Sequence, residues 1–357
     1  MSPVELHEYL QTLKHKNSQD PNIVQYKKEI REALVEYRTT IPRTNLMLKE
    51  QGGVAKDVVF YSFMGAPGKP KIEEHDYKRL KISWSSLRKY NKDIEIRFCY
   101  DGDNPMWQEL CEEYNVNMYF FNESFTGTEP NAWSIHRWYN IALWRDEDLN
   151  ILYLDADTYI NGDIQLIFDI YKRDPIYGRE EQGFRHDPNL GICGEDPRFY
   201  LDLVDASIVA QGGKTEVQKY CLGVILLNHS IHKLFTPEVL ADYATLLKQI
   251  SKFEVFYSIP NYRIMDQFAL WILLSRWSIR TSLFGDQDVT HTFLEKKHEE
   301  HFNPIILHYT TKDEEKFADW APEFFSLSRS QDDREDSDLG FGGISIKMRE
   351  EVAMSMW

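Results

Sequence analysis

Ile151-Leu152-Tyr153-Leu154-Asp155-Ala156-Asp157-Thr158 is the stretch that decides how this chain reads. Four consecutive apolar side chains are what a strand buried on both faces requires, and an acidic turn follows at once. On extended backbone, residues i and i+2 point the same way, so Asp155 and Asp157 can converge on one point at the strand end. Two hard oxygen donors there suit Mg²⁺ or Mn²⁺, which keep open positions for phosphate oxygens. Such an ion bridges a diphosphate and offsets the negative charge that grows on it as a bond to it breaks.

The Asp-x-Asp pattern does not by itself single out this place. Asp101-Gly102-Asp103, Asp146-Glu147-Asp148, Asp286-Gln287-Asp288 and Asp336-Ser337-Asp338 share it, and a random pair of this kind is usually a solvated turn. Asp101 and Asp103 also follow an apolar run, but they lead into Asn104-Pro105, an ordinary turn and helix start. Asp155 and Asp157 lead instead into Thr158-Tyr159-Ile160-Asn161-Gly162-Asp163-Ile164, which re-enters the core directly.

Working outward, Val58 to Phe63 reads as a buried strand ending in Gly65-Ala66-Pro67-Gly68. A helix is expected from Tyr77 to Tyr90, a strand from Ile94 to Tyr100, a helix from Pro105 to Tyr114, a strand from Asn117 to Phe121, and a helix from Trp133 to Arg145. After the acidic turn, Val224 to Leu227 and Pro304 to Leu307 read as strands, Thr236 to Ser251 and Met265 to Ser275 as helices. Strands alternating with amphipathic helices indicate an α/β fold with a mostly parallel sheet. In such sheets ligands bind beyond the carboxyl ends of the strands. The expected organisation is a helical N-terminal extension over 1–52 (helices at Val4 to His15 and Ile23 to Tyr37), a main domain over 55–325, and an acidic, glycine-rich tail over 326–357 with a short terminal element.

Composition limits the functions available. The 357 residues carry 41 Lys plus Arg against 57 Asp plus Glu, a net charge of -16, which argues against nucleic acid as a partner. A small phosphorylated ligand stays open, because a metal supplies positive charge locally. A hydrophobic fraction of 42% builds a sizeable core and excludes wholesale disorder. The longest strongly apolar run, Phe268 to Leu274, is too short to span a bilayer, and the start is polar. Cys99, Cys111, Cys193 and Cys221 show no CxxC spacing, so reduced thiols in a cytoplasmic protein are expected. Cys193 and Cys221 have no adjacent His or basic residue, so neither reads as a nucleophile. Asn122 and Asn228 begin glycosylation sequons that carry no weight without a secretion signal.

Residues 151–158, with Gly162-Asp163-Ile164 close behind, resemble the metal-binding signature of GT-A glycosyltransferases. Within them the chain is most similar to glycosyltransferase family 8, the retaining glycogenin/galactosyltransferase group, from about Asp57 to Trp320. The resemblance implies a Rossmann-like, mostly parallel mixed sheet flanked by helices. It also implies transfer of a hexose, glucose or galactose, from a UDP-sugar to an acceptor hydroxyl on a carbohydrate or protein, with retention. Asp155, Asp157 and His308, which follows Ile305-Ile306-Leu307, would hold Mn²⁺ or Mg²⁺. Tyr61, Ser62, Arg137, Asp155, Ala156 and Lys312 (or Lys316 in place of Lys312) would lie around the nucleotide sugar. Asp266 or Gln267, opening a helix, would act near the transferred sugar. The chain departs from the family at Cys221-Leu222 before Gly223-Val224, where Asn or Ser is usual, and at Ser62-Phe63, which lacks the usual acidic residue.

Each of these residues also has a plainer reading. His308 could cap a strand, Arg137 could be the exposed residue of an amphipathic helix, and Asp266 could be a first-turn acid favoured by the helix dipole. Most of the nine tryptophans read as core. Two rival functions stand beside the transferase. One is a Mg²⁺-dependent phosphohydrolase with Asp155 as nucleophile, although Tyr159 fills the slot where that pattern has Thr or Val. The other is a non-catalytic sugar-nucleotide-binding protein.

Overall fold

Among the described residues, strands and helices follow the alternation expected. In the computed structural model, the residues described are 55–64, 70–101, 104–120, 132–180, 220–241, 243–244, 265–277, 279–291 and 303–309. The expected extension over 1–52, the tail over 326–357, Lys312 and Lys316 lie outside them. The elements are β1 (Lys56–Met64), α1 (Pro70–Tyr90), β2 (Glu95–Asp101), α2 (Met106–Glu113), β3 (Asn117–Phe120), α3 (Ala132–Ala142) and β4 (Leu149–Leu154). There follow β5 (Thr158–Ile160), α4 (Gln165–Ile170), β6 (Ile176–Glu180), β7 (Tyr220–Leu227), α5 (Met265–Arg276), β8 (Thr281–Leu283), β9 (Val289–His291) and β10 (Ile306–His308).

Seven strands form a mixed sheet in the order β3-β2-β1-β4-β7-β6-β8. β1 pairs in parallel with β2 and β4, and β2 with β3, whereas β7 runs antiparallel to β4 and β6. The chain steps outward from β1 through β2 to β3, then returns to β1's other side as β4. That reversal makes the β1/β4 boundary a topological switch point, where the carboxyl ends of the strands leave a crevice. A second sheet, β5-β10-β9, begins three residues past β4, with β10 antiparallel to β5.

Both faces of the large sheet are covered, which is why its central strands are apolar without interruption. Val58, Phe60, Ile151 and Tyr153 pack with Trp138 and Ile141 of α3 and Leu270 and Trp271 of α5. The alternate residues Val59, Tyr61, Leu152 and Leu154 pack with Leu80, Trp84 and Leu87 of α1 and Trp107 of α2. Trp84, Trp107, Trp138 and Trp271 have no exposed surface, as expected for most of the tryptophans.

Several boundaries differ from the sequence reading. α1 starts at Pro70 rather than Tyr77, because proline's fixed φ suits a helix's first residue and the missing N–H is not needed there. α3 stops at Ala142 rather than Arg145, and β7 begins at Tyr220 rather than Val224. β5, α4, β6, β8 and β9 were not anticipated, since elements of three to six residues are too short to display a period. Of the helix expected over Thr236 to Ser251, the described part is helical from 237.

α1 also fixes the chain after the acidic turn. Ile160 N donates to Ser86 Oγ (3.0 Å) and Ile164 N to Asn91 Oδ1 (2.9 Å), while Asn91 Nδ2 donates to Gly162 O (3.1 Å). Asn91 is 8% exposed, so these bonds satisfy groups that water does not reach freely.

Candidate metal centre at the carboxyl end of β4

Asp155-Ala156-Asp157 spans the gap between the two sheets, and its backbone is held at both ends. Asp155 N donates to Gly223 O of β7 (2.8 Å), and Tyr309 N, just past β10, donates to Asp157 O (2.9 Å). Thr158 Oγ1 donates to Asp155 O (2.8 Å) and lies 2.9 Å from Ser83 Oγ, which lies 2.8 Å from the Tyr61 hydroxyl. A buried hydroxyl chain therefore backs the turn from the α1 side.

The turn brings Asp155, Asp157 and His308 together, each offering a ligand atom within 4.8 Å of the others. His308 Nε2 lies 3.2 Å from Asp157 Oδ1 and 4.0 Å from Asp155 Oδ2. His308 is the last residue of β10, and its register partner Thr158 follows Asp157 directly. Antiparallel pairing thus delivers the imidazole to the carboxylates from the far end of the chain.

Burial disfavours charge on both partners, but each favours the other's ionised form more strongly. The imidazole holds Asp157 down at about 2, with Arg79 of α1 adding to the positive field. The Asp157 carboxylate lifts His308 to about 10. Asp157 and His308 thus form a carboxylate–imidazolium pair, and a divalent cation held there would have to displace the His308 proton, because only the neutral ring is a ligand. Two carboxylates and one imidazole nitrogen match the oxygen- and nitrogen-binding preference of Mn²⁺, and the residues fit a divalent ion.

Around this cluster, the other sequence candidates separate. Arg137 is not a freely exposed helix residue: its side chain is 13% exposed, with Nη1 3.4 Å from Asp155 Oδ1 and 3.2 Å from Leu222 O. Its guanidinium stacks 4.7 Å from the centre of the Tyr153 ring, whose hydroxyl donates to Asp155 Oδ1 (2.6 Å). Ser62, near the end of β1, accepts from Asn140 Nδ2 (3.0 Å) and lies 2.6 Å from His136 Nδ1. Burial, helped by the Arg137 charge, pushes His136 down to about 3, so the ring that Ser62 meets is neutral.

Tyr61 turns its side chain away from this edge into the α1 core, where it is 1% exposed, so only its backbone is available to a ligand there. Ala156 lies between the two carboxylates and packs against the same core. Gln267, in the first turn of α5, is buried and accepts the Leu222 N–H through Oε1 (2.8 Å). Asp266 precedes it in that turn, and its side chain lies outside the described set.

Tyr153, Arg79 and His136 were not singled out as site residues by sequence.

The chain matches no known protein-family model. It matches no curated protein by sequence. Its structural neighbours are glycosyltransferases. It is similar to the galactosyltransferase LgtC, determined in complex with donor and acceptor sugar analogues, at 14% identity and a TM-score of 0.44, over 71% of this chain and 86% of that one. It is also similar to mouse xyloside xylosyltransferase 1 in its apo form (12% identity, TM-score 0.42, over 71% and 97%). A third is the apo form of glycosyltransferase GlyE from Streptococcus pneumoniae TIGR4 (16% identity, TM-score 0.43, over 73% and 55%).

Proposed function

We propose that this chain is a metal-dependent glycosyltransferase that moves a hexose, glucose or galactose, from a UDP-sugar to an acceptor hydroxyl on a carbohydrate or protein, with retention of configuration. The observation that carries the reading is the convergence of Asp155, Asp157 and His308 at the carboxyl end of β4, beside the crevice at the β1/β4 switch point. Asp155, Asp157 and His308 would hold Mn²⁺ or Mg²⁺, which supplies positive charge to the diphosphate as it leaves.

The chain's own residues do the rest. Tyr153 fixes the orientation of the Asp155 carboxylate, and Arg137 sets a second positive charge beside it, suited to a phosphate oxygen. Ser62, oriented by His136 and Asn140, offers a hydroxyl at the end of β1, on the nucleotide's side of the crevice. Lys312, or Lys316, would add charge at the diphosphate, and Asp266 would act near the transferred sugar. Gln267 supports the Leu222 backbone that Arg137 also grips. A cytoplasmic location belongs to the same proposal.

The test is a screen of sugar nucleotides with Mn²⁺, reading release of the nucleoside diphosphate. Wild type is expected to turn over a UDP-hexose slowly without an acceptor, and Asp157→Ala to lose that activity. An Asp157→Ala protein as active as wild type would remove the metal assignment. Robust hydrolysis of an aryl phosphate with Mg²⁺, and no turnover of any sugar nucleotide, would replace the transferase with the phosphohydrolase.

A further inference from the structure

β7 meets the candidate metal centre at Gly223, and the space there is already taken. A Cβ built there would stand 2.6 Å from Nε2 and 2.8 Å from Nδ1 of His308, and closer still to Cε1. Its φ lies outside the left-handed region, so glycine is required here for room and not for backbone conformation.

Neither side of that contact can give way cheaply. β7 cannot retreat, because Gly223 O accepts from Asp155 N (2.8 Å). The neighbouring Leu222 is fixed twice, its N–H by Gln267 Oε1 (2.8 Å) and its carbonyl by Arg137 Nη1 (3.2 Å). His308 cannot retreat without leaving Asp157, 3.2 Å away. On the same strand Gly223 N donates to the Cys221 sulfur (3.4 Å). Across β7 from the site, the register with β6 skips from Ile225 to Cys221, leaving Leu222, Gly223 and Val224 unmatched on that side. A bulge of this kind re-aims a strand locally.

We propose that Gly223 is a positioning residue that seats the His308 imidazole by providing the volume the ring fills. It thereby sets the affinity of the site for a divalent cation without contacting the ion. A histidine ligand depends on the group that orients it, and losing that group costs about 10–100-fold in metal affinity. The inference rests on the metal centre proposed above.

The experiment is a Mn²⁺ titration of the full chain without nucleotide, followed by electron paramagnetic resonance of free Mn²⁺, with urea unfolding in EDTA alongside. The variants are Gly223→Ala, His308→Ala and the double variant Gly223→Ala/His308→Ala. Gly223→Ala is expected to bind Mn²⁺ roughly 10–100-fold more weakly than wild type. In EDTA, its loss of stability should shrink in the His308→Ala background, because the added methyl then enters the space the ring vacated.

Unchanged Mn²⁺ affinity in Gly223→Ala overturns the seat, as does a stability loss equal in both backgrounds. Should Gly223→Ala fail to fold while the double variant folds, the clash with the ring is confirmed directly. Failure of both to fold overturns it, since the cost then does not depend on His308. Wild type that binds no Mn²⁺, or His308→Ala that binds it normally, removes the metal centre itself. The unfolding cycle still reports the steric relation between Gly223 and His308 in that case, so the two failures are distinguishable.

Discussion

At the scale of single residues, the site is a set of opposed charges and one neutral ring. Asp157 and His308 sustain each other's ionisation, Tyr153 and Arg137 share Asp155, and His136 stays uncharged beside Ser62. His136 carries a testable consequence for stability. Its folded value, about 3, lies below the ordinary 6.5, so between these values the unfolded chain binds the proton more readily than the native one. The associated stability is complete above pH 6.5 and is lost as pH falls from 6.5 towards 3, at about 1.4 kcal/mol per pH unit. Urea unfolding of His136→Gln across that range is expected to show a pH slope shallower than wild type by one proton. Parallel slopes would mean that the native ring takes up its proton as easily as the unfolded one. Of these residues, Asp155 and Asp157 were legible because a strand's period of two aligns them. Tyr153 was visible only as a core residue, although its hydroxyl reaches Asp155 across the same two-residue step.

Among elements, β7 and α5 act together. α5 places Gln267 under the Leu222 N–H, and α3 places Arg137 on the Leu222 carbonyl, so two helices grip the bulged part of one strand. The sequence resemblance puts Gln267 beside the transferred sugar, whereas its carboxamide oxygen supports the strand. Gln267→Ala should leave a buried N–H unsatisfied and cost about 1–3 kcal/mol in urea unfolding. An unchanged midpoint with a drop in turnover alone would instead assign the carboxamide to the chemistry. The long, strongly patterned elements β1, β2, α2, β4 and α5 were legible to within a few residues. The three-residue strands of the second sheet were not, because they are defined by their partners and not by any local period.

At the scale of the molecule, the candidate ligands join two sheets. Asp155 follows β4 of the large sheet, while Asp157 directly precedes β5 and His308 ends the central strand β10 of the small one, so a bound ion would tie the sheets together. An ion that binds only the folded chain stabilises it by about 2.7 kcal/mol at a hundredfold excess over Kd. Mn²⁺ is therefore expected to raise the melting temperature of wild type by several degrees, EDTA to reverse this, and Asp157→Ala to show no shift. A shift of equal size in Asp157→Ala would place the ion elsewhere in this acidic chain. The sequence by itself determined the α/β alternation, the burial of the central strands and the convergence of Asp155 with Asp157, because hydrophobic periodicity and backbone geometry are local. Only the tertiary structure decided that Arg137 faces Asp155, that Tyr61 turns into the core, and that Gly223 faces the His308 ring. Those relations depend on strand order and register, which bring residues far apart in the chain to within a few ångströms and leave no trace in the residues on either side.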